Sequence, residues 1–381
     1  MTTLSRPSFL ALFAIVAGVF VFSSSAQAAT STICGSGCDY LNLEEAIGSD
    51  VAGQDTFILT NGYDATEPFV LVMPDDTTLL CDPGVVFGNE PDDIHPDYLY
   101  FGDNNHVKNC TFQNIYLFYQ YDDGDVNHVS NLSFIENLFL DNGISGIVMR
   151  NASEFIISDN YGLQNITLNG GKNGAINNND MECRNISPCL EFYNAPDNIV
   201  IDDNIMTEYR NNSPQISLVG ATNITFTNNQ LQAPIEGGSQ LFLDDVDNMT
   251  IEGNLFLFRE DGAGGIFVTG ADVDMSLVIT RNTFIRNGGQ DAYCFNLSPW
   301  GAASPRVIDV EFTYNLCDTG AGIQFSYDSS FYTLNVTDEY NGFDNEENAI
   351  YDNYFTYTLS PTTVYGEPVF RTENVDLNDD F

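Results

Sequence analysis

The chain is almost without lysine. Only Lys108 and Lys172 occur in 381 residues, and lysine and arginine together number 11 against 54 acidic residues, a formal net charge of −43. Binding a polyanion requires a basic footprint that releases condensed counterions. The composition therefore excludes nucleic acid as a partner, and an anionic membrane surface with it. It suits an exported protein in salty surroundings, where self-repulsion is screened; an acidic rod with no special habitat accounts for it too. Histidine is also scarce: His95, His106 and His128 precede the most regular part of the chain and stand in no recognisable motif. Beyond the N-terminus no stretch is long and apolar enough to span a bilayer.

The N-terminus has the pattern of a secretory signal peptide over residues 1–28. Arg6 supplies the basic region, Phe9 to Phe22 the apolar region, and Ala26-Gln27-Ala28 a small-residue cleavage site. Some 14 apolar residues are too few for a span. Removing this segment takes Arg6 and no acid, so the mature charge is 10 − 54 = −44. The expected location is extracellular, whether secreted, periplasmic or at the cell surface.

Eight cysteines in an exported chain point to disulfides, although eight allow 105 connectivities. Cys34/Cys38 and Cys183/Cys189 are close enough in sequence to staple local loops. Cys81/Cys110 and Cys294/Cys317 lie 29 and 23 residues apart, which becomes meaningful beside the repeat described next. No paired CxxC unit and no neighbouring histidine support zinc.

An asparagine recurs in one setting: alternating apolar residues, then Asn, then one residue, then usually an apolar one. Asn179, Asn204, Asn229 and Asn254 are 25 residues apart, and Asn137, Asn160, Asn282 and Asn315 extend the series. Short strands at a period of 20–30 residues bury an apolar face only by stacking on themselves. One repeat reads as a strand (223–227), a turn at Asn228-Asn229, a second strand (230–232), a Gly/Pro loop (233–239), a third strand (240–244), and a turn (245–248). Three strands per coil give three parallel sheets around a narrow core. Inward pairs of the third strand are Ile147/Met149, Ile166/Leu168, Leu190/Phe192, Ile216/Leu218, Leu241/Leu243, Ile266/Val268 and Ile323/Phe325. The Asn is expected to adopt the left-handed conformation of a sharp turn and to bond to its counterparts above and below. Coils stack at about 4.8 Å, inside the disulfide Cα–Cα range of roughly 4.4–6.8 Å. Cys81–Cys110 and Cys294–Cys317 are thus expected to join adjacent coils.

On these residues the chain resembles the right-handed parallel β-helix superfamily, the pectate-lyase-like fold. Cys38-Asp39-Tyr40-Leu41-Asn42-Leu43-Glu44-Glu45-Ala46-Ile47 is similar to the amphipathic cap that such proteins place before the first coil. Tyr365-Gly366-Glu367-Pro368-Val369-Phe370, with Asp376-Leu377-Asn378-Asp379-Asp380-Phe381, is similar to their closing segment, which normally runs on past the Asp-Phe pair. The resemblance implies an all-β, single-domain solenoid of about ten coils. Residues 29–60 would form the cap and first strands, 61–360 the β-helix, and 361–381 a truncated closing segment. Covered ends make a monomer the expected state.

The resemblance also directs attention to the third strand and its flanking loops, where enzymes of this superfamily usually work. The paired-Asp, Gly-His-Gly and Arg-x-Lys motifs of polygalacturonases are absent, as is the Tyr-Gly-x-Asp-Pro-His motif of alginate epimerases. What remains is a scatter of basic residues beside that strand. Arg184, Arg210, Arg259 and Arg286 lie in or before loops leading into third strands. Arg150 ends such a strand on its outward phase, and Lys172 follows another. These could bind uronate or sulfate groups. In lyases of this fold Arg or Lys can remove the proton α to a carboxylate. Arg210 and Arg259, with Tyr193 and Glu191, are therefore the candidate catalytic set, and Asp244 joins the binding residues. The competing reading pairs these cations with carboxylates on neighbouring coils.

Phe242 and Phe267, 25 apart and outward, could stack on sugar rings or form a purely structural ladder. Asp245/Asp247 and Asp272/Asp274, 27 apart, are expected to stack and to suit Ca²⁺, and Asp122-Asp123-Gly124-Asp125 is a second acidic loop. Two functions are open. One is a secreted β-helix that binds, and as a polysaccharide lyase cleaves by β-elimination, an acidic extracellular polysaccharide. The other is a non-catalytic acidic surface, adhesin or matrix protein.

Overall fold

The computed structural model describes residues 30–48, 56–60, 70–87, 97–113, 115–119, 129–140, 146–183, 188–208, 214–233, 239–258, 264–270, 273–286, 292–299, 305–318, 320–325, 332–343, 350–352 and 364–365. They form a parallel β-solenoid. Its first sheet has 13 strands, and its second and third sheets have 12 each. In the central repeat the strands are Thr222–Thr227, Gln230–Ala233 and Ser239–Asp244, and the next coil opens at Asp247–Glu252. The expected strands are all present. The expected turn over 245–248 is shorter, because Asp247 and Asn248 already belong to the next strand.

Side chains alternate across each strand, and the inward set fills the core. All seven inward pairs read from the third strand are buried. In the second sheet one inward column runs Phe87, Phe112, Phe139 at one end and Phe256, Phe284 further along. The Phe256 and Phe284 rings stack at 4.6 Å and 12°. Between them the column passes through Met181, Met206 and Leu231.

The asparagines form the ladder that fixes the register. From Asn137 through Asn160, Asn179, Asn204, Asn229, Asn254, Asn282 and Asn315 to Asn341, each Asn donates both its backbone N–H and its Nδ2 to the Oδ1 of the next. Each Nδ2 also donates to a carbonyl in the coil before, as Asn204 does to Ile176 O at 2.8 Å and Asn229 to Ile201 O at 2.9 Å. Every one of these asparagines is buried. At the N-terminal end the amide of Cys110 takes the Asn position and donates to Asn137 Oδ1 at 3.0 Å.

One expectation is corrected here. The left-handed residue of this turn is the one before the ladder Asn. Glu136, Asp159, Asn178, Asp203, Asn228, Gly253, Arg281, Tyr314 and Tyr340 all have φ between 50° and 70°, and no ladder Asn does. A positive φ is uncommon outside Gly, Asn and Asp, yet Glu, Arg and Tyr occupy it here. The buried amide ladder on the following residue holds the corner whatever side chain precedes it.

All four expected disulfides form. Cys81–Cys110 joins neighbouring coils at the first turn. Cys294–Cys317 also joins neighbouring coils, but it runs from a third strand to the second strand of the next coil. At the corner entering the third strand, Cys183–Cys189 in one coil gives way to buried Gln215 and Gln240 in the next two. Their Nε2 groups donate to second-strand carbonyls, Gln215 to Met206 O at 2.5 Å and Gln240 to Leu257 O at 2.8 Å. Gly265 follows in the same column, where a Cβ would meet Cys294 O at 2.6 Å.

The expected cap is a short helix, Leu43–Gly48, with Leu43 and Ala46 buried. Asn42 Oδ1 accepts from Glu45 N at 2.7 Å and Glu45 Oε2 accepts from Leu41 N at 3.0 Å, a reciprocal cap.

Asn204→Ala removes a buried acceptor for two donors of Asn179 and one of the donors to Ile176 O. Orphaned buried groups cost about 1–3 kcal/mol each, so chemical denaturation should show a loss of about 3 kcal/mol. Asn228→Gly, one residue from Asn229 in the exposed left-handed position that Gly253 fills in the next coil, should change stability by less than about 0.5 kcal/mol.

Candidate functional site

The outer face of the third sheet carries one continuous row and a second, interrupted one. The first runs in register through Val148, Thr167, Glu191, Ser217, Phe242, Phe267, Asn296 and Gln324. The second, two residues further along each strand, pairs Arg150 with Asn169, Asn169 with Tyr193, and Asp244 with Thr269. Parallel pairing without slippage sets these side chains about one coil spacing, 4.8 Å, apart.

Several candidate residues meet on this face. Glu191 and Tyr193 belong to one strand, Leu190–Tyr193, two positions apart and both outward. Arg150 is exposed at the end of Gly146–Arg150. Phe242 and Phe267 point outward as expected, partly buried, with ring centroids 5.8 Å apart and planes at 20°. Their inner faces cover each other, which leaves edges and outer faces to a ligand. Arg184, Arg210 and Arg259 lie outside the described residues. Arg286 ends the second-sheet strand Thr283–Arg286, where its backbone pairs with Phe258.

Lys172 does not share this face. It opens a first-sheet strand, Lys172–Asn177, in register with Asp197. The Asp197 carboxyl is held below its ordinary range by hydrogen bonds from Asn223 Nδ2 and Thr222 Oγ1, with a smaller contribution from Lys172. Lys108 pairs with Glu136 at 3.0 Å, and Arg281 pairs with Glu252. Lys108 and Arg281 thus pair with carboxylates one coil away, and Lys172 stands in register with a third, Asp197.

The acidic stack is corrected as well. The first-sheet register across this step is 28 residues, Met249 to Leu277 and Ile251 to Ile279, not 27. That sets Asp247 level with Met275 rather than with Asp274. Asp274 Oδ1 accepts from Val307 N at 2.9 Å, and Asp245 sits in the left-handed region against Gly270. Asp272 and the loop Asp122-Asp123-Gly124-Asp125 lie outside the described residues. Among the described residues no cluster of His, Cys, Asp and Glu could hold a metal ion, and no helix is long and apolar enough to cross a membrane.

Ser217, Asn296 and Gln324 belong to the outward row and were missed in the sequence. The signal was available: each lies one position beyond an inward residue of the third strand, Ile216, Phe295 and Ile323.

No known protein family matches the chain, and no curated protein does. Among solved structures it is similar to PfbA, a surface adhesin of Streptococcus pneumoniae, with 11% identity over 80% of this chain and 88% of that one and a TM-score of 0.43. It is similar to the catalytic domain of GH87 alpha-1,3-glucanase in complex with nigerose, with 10% identity over 85% and 66% of the two chains and a TM-score of 0.42. It is also similar to DFA-IIIase from Arthrobacter chlorophenolicus A6, with 13% identity over 77% and 92% and a TM-score of 0.35. Likeness at this level is one of shape and assigns no residue a role.

Asp197 gives a pH test. Its folded pKa is depressed, so its contribution is present above the ordinary carboxylate pKa and is lost as pH falls through the folded value. Asp197→Asn should lower the unfolding midpoint at pH 7, and the difference from the unmodified protein should close only as pH falls below the ordinary carboxylate range and through the depressed folded value. A difference that stays constant with pH would assign the effect to packing.

Proposed function

We propose that this is an exported β-helix that binds an extracellular polysaccharide along the outer face of the third sheet. The observation that supports it is the unbroken in-register row carrying Glu191, Ser217, Phe242, Phe267, Asn296 and Gln324. It offers an extended ligand polar and apolar contacts at one repeat over successive coils. Enclosed pockets suit small ligands; a periodic flat strip suits a polymer. Four disulfides fit an oxidising compartment, and a monomer is the working state.

In its catalytic form the reading is β-elimination on a uronate polymer. Arg210 or Arg259 would remove the proton α to the carboxylate, Tyr193 and Glu191 would serve the acid step at the leaving oxygen, and Arg150, Arg184, Arg286 and Asp244 would position the chain. The second reading, a non-catalytic acidic surface or matrix protein, is favoured by the matched pairs Lys108–Glu136 and Arg281–Glu252. These show cations of this chain used within it.

Incubation with alginate, polygalacturonate and chondroitin, with and without Ca²⁺, separates the two. A lyase produces an unsaturated product absorbing near 235 nm, and Arg210→Ala with Arg259→Ala abolishes it. No absorbance gain with any polymer leaves binding without cleavage. Unchanged polymer affinity in the double variant returns the arginines to a structural role.

A further inference from the structure

The outer face of the third sheet differs from the rest of the rod in charge. About one residue in seven of the chain is acidic. The first sheet follows suit, carrying Asp197, Asp202, Asp247, Glu252, Asp309 and Glu311 on its outer side. Among the described side chains the third sheet carries Glu191, Asp244 and Arg150. From Ser217 through Phe242, Phe267 and Asn296 to Gln324, its central row crosses five coils without an ionisable group.

We propose that this strip binds a neutral, hydroxyl-rich glycan rather than a uronate or sulfated polymer. The proposal rests on the reading that the third sheet is the polysaccharide face, and it names the ligand class.

Three observations carry it. A polyanion laid along this row approaches a chain of net charge −43 and meets no cation on the strip itself, so its approach is opposed by the field of the whole molecule. The polar groups on the strip also ask for donors. Asn296 Nδ2 donates to Gln324 Oε1 at 2.7 Å, which leaves Asn296 Oδ1, itself covered, without a hydrogen-bond partner. Turning the amide outward would expose that acceptor at the cost of the bond to Gln324 Oε1. A sugar hydroxyl then supplies the missing donor; a neutral unit offers only such groups, whereas a uronate unit brings an acceptor-only carboxylate beside its hydroxyls. Lastly, Phe242 and Phe267 give the strip a stacked apolar surface two coils long. That surface suits the C–H faces of uncharged pyranose rings and would desolvate a charged one.

Affinity measurements on the full chain test this with laminarin, dextran and galactomannan as neutral probes and alginate and polygalacturonate as acidic ones, each at low and high NaCl. The expected result is binding to at least one neutral polymer, insensitive to salt and weakened at least tenfold in Phe242→Ala with Phe267→Ala. Asn296→Ala removes the orphan acceptor while keeping both aromatic rings and should weaken the same polymer at least threefold. It keeps the test valid if the double variant folds poorly. Preference for an acidic polymer overturns the ligand class while leaving the third sheet as the binding face. Binding to a neutral polymer that neither variant alters overturns the location. Binding to none of the five overturns both.

Discussion

The amide ladder from Asn137 to Asn341 is the interaction on which the rest of the structure depends. Parallel coils of 19 to 33 residues have no intrinsic reason to stay level with one another. Each ladder Asn ties the first turn of its coil to the coils before and after it through buried hydrogen bonds. A buried amide left without partners is costly, so slippage of a coil by one residue would orphan several groups at once. It would also turn every inward side chain outward. Apolar stacking supplies the driving force; the ladder sets where stacking stops.

Once the register is set, the surface chemistry follows from it. The strands pair without slippage on the third sheet, so side chains chosen independently in each coil become rows. One row collects amides, a serine and two phenylalanines; the corresponding first-sheet rows collect carboxylates. The same register places Lys172 opposite Asp197 and brings Lys108 and Arg281 within one position of Glu136 and Glu252, with which they pair. Loop length between strands varies freely because the ladder restores the level at the next turn, which is how a coil of 25 residues follows one of 19.

Much of this was legible in the sequence because the relevant signals are periodic. The Asn spacing, the alternating apolar pairs and the cysteine intervals all refer to one repeat, and they yield the sheets, the third-strand core and the disulfide partners. The misreadings arise where periodicity is silent. The conformational role of the turn was assigned to the Asn itself, whereas the preceding residue takes the positive φ. Its identity varies from Gly to Tyr because the neighbour holds it in place. The acidic stack was read from a spacing of 27, but residues inserted between Thr269 and Met275 make the register 28, and a single residue is enough to separate carboxylates that sequence alone aligns. Cys294–Cys317 has the interval of one coil yet joins different sheets, since an interval fixes how far the chain advances and not which corner it has reached. The uncharged stretch from Ser217 to Gln324 is hard to see in the sequence for a different reason: its signal is a local shortage of acids, which no motif marks.

The central claim is that the ladder amides are buried, hydrogen-bonded and responsible for register. Hydrogen exchange of side-chain Nδ2 protons in asparagine-labelled protein tests it most directly. The account predicts that Asn179, Asn204, Asn229 and Asn254 exchange as slowly as the core backbone amides, while Asn178 and Asn228, exposed and bonded only to surface carboxylates, exchange much faster. Rapid exchange at the ladder positions, with the fold intact, would contradict it.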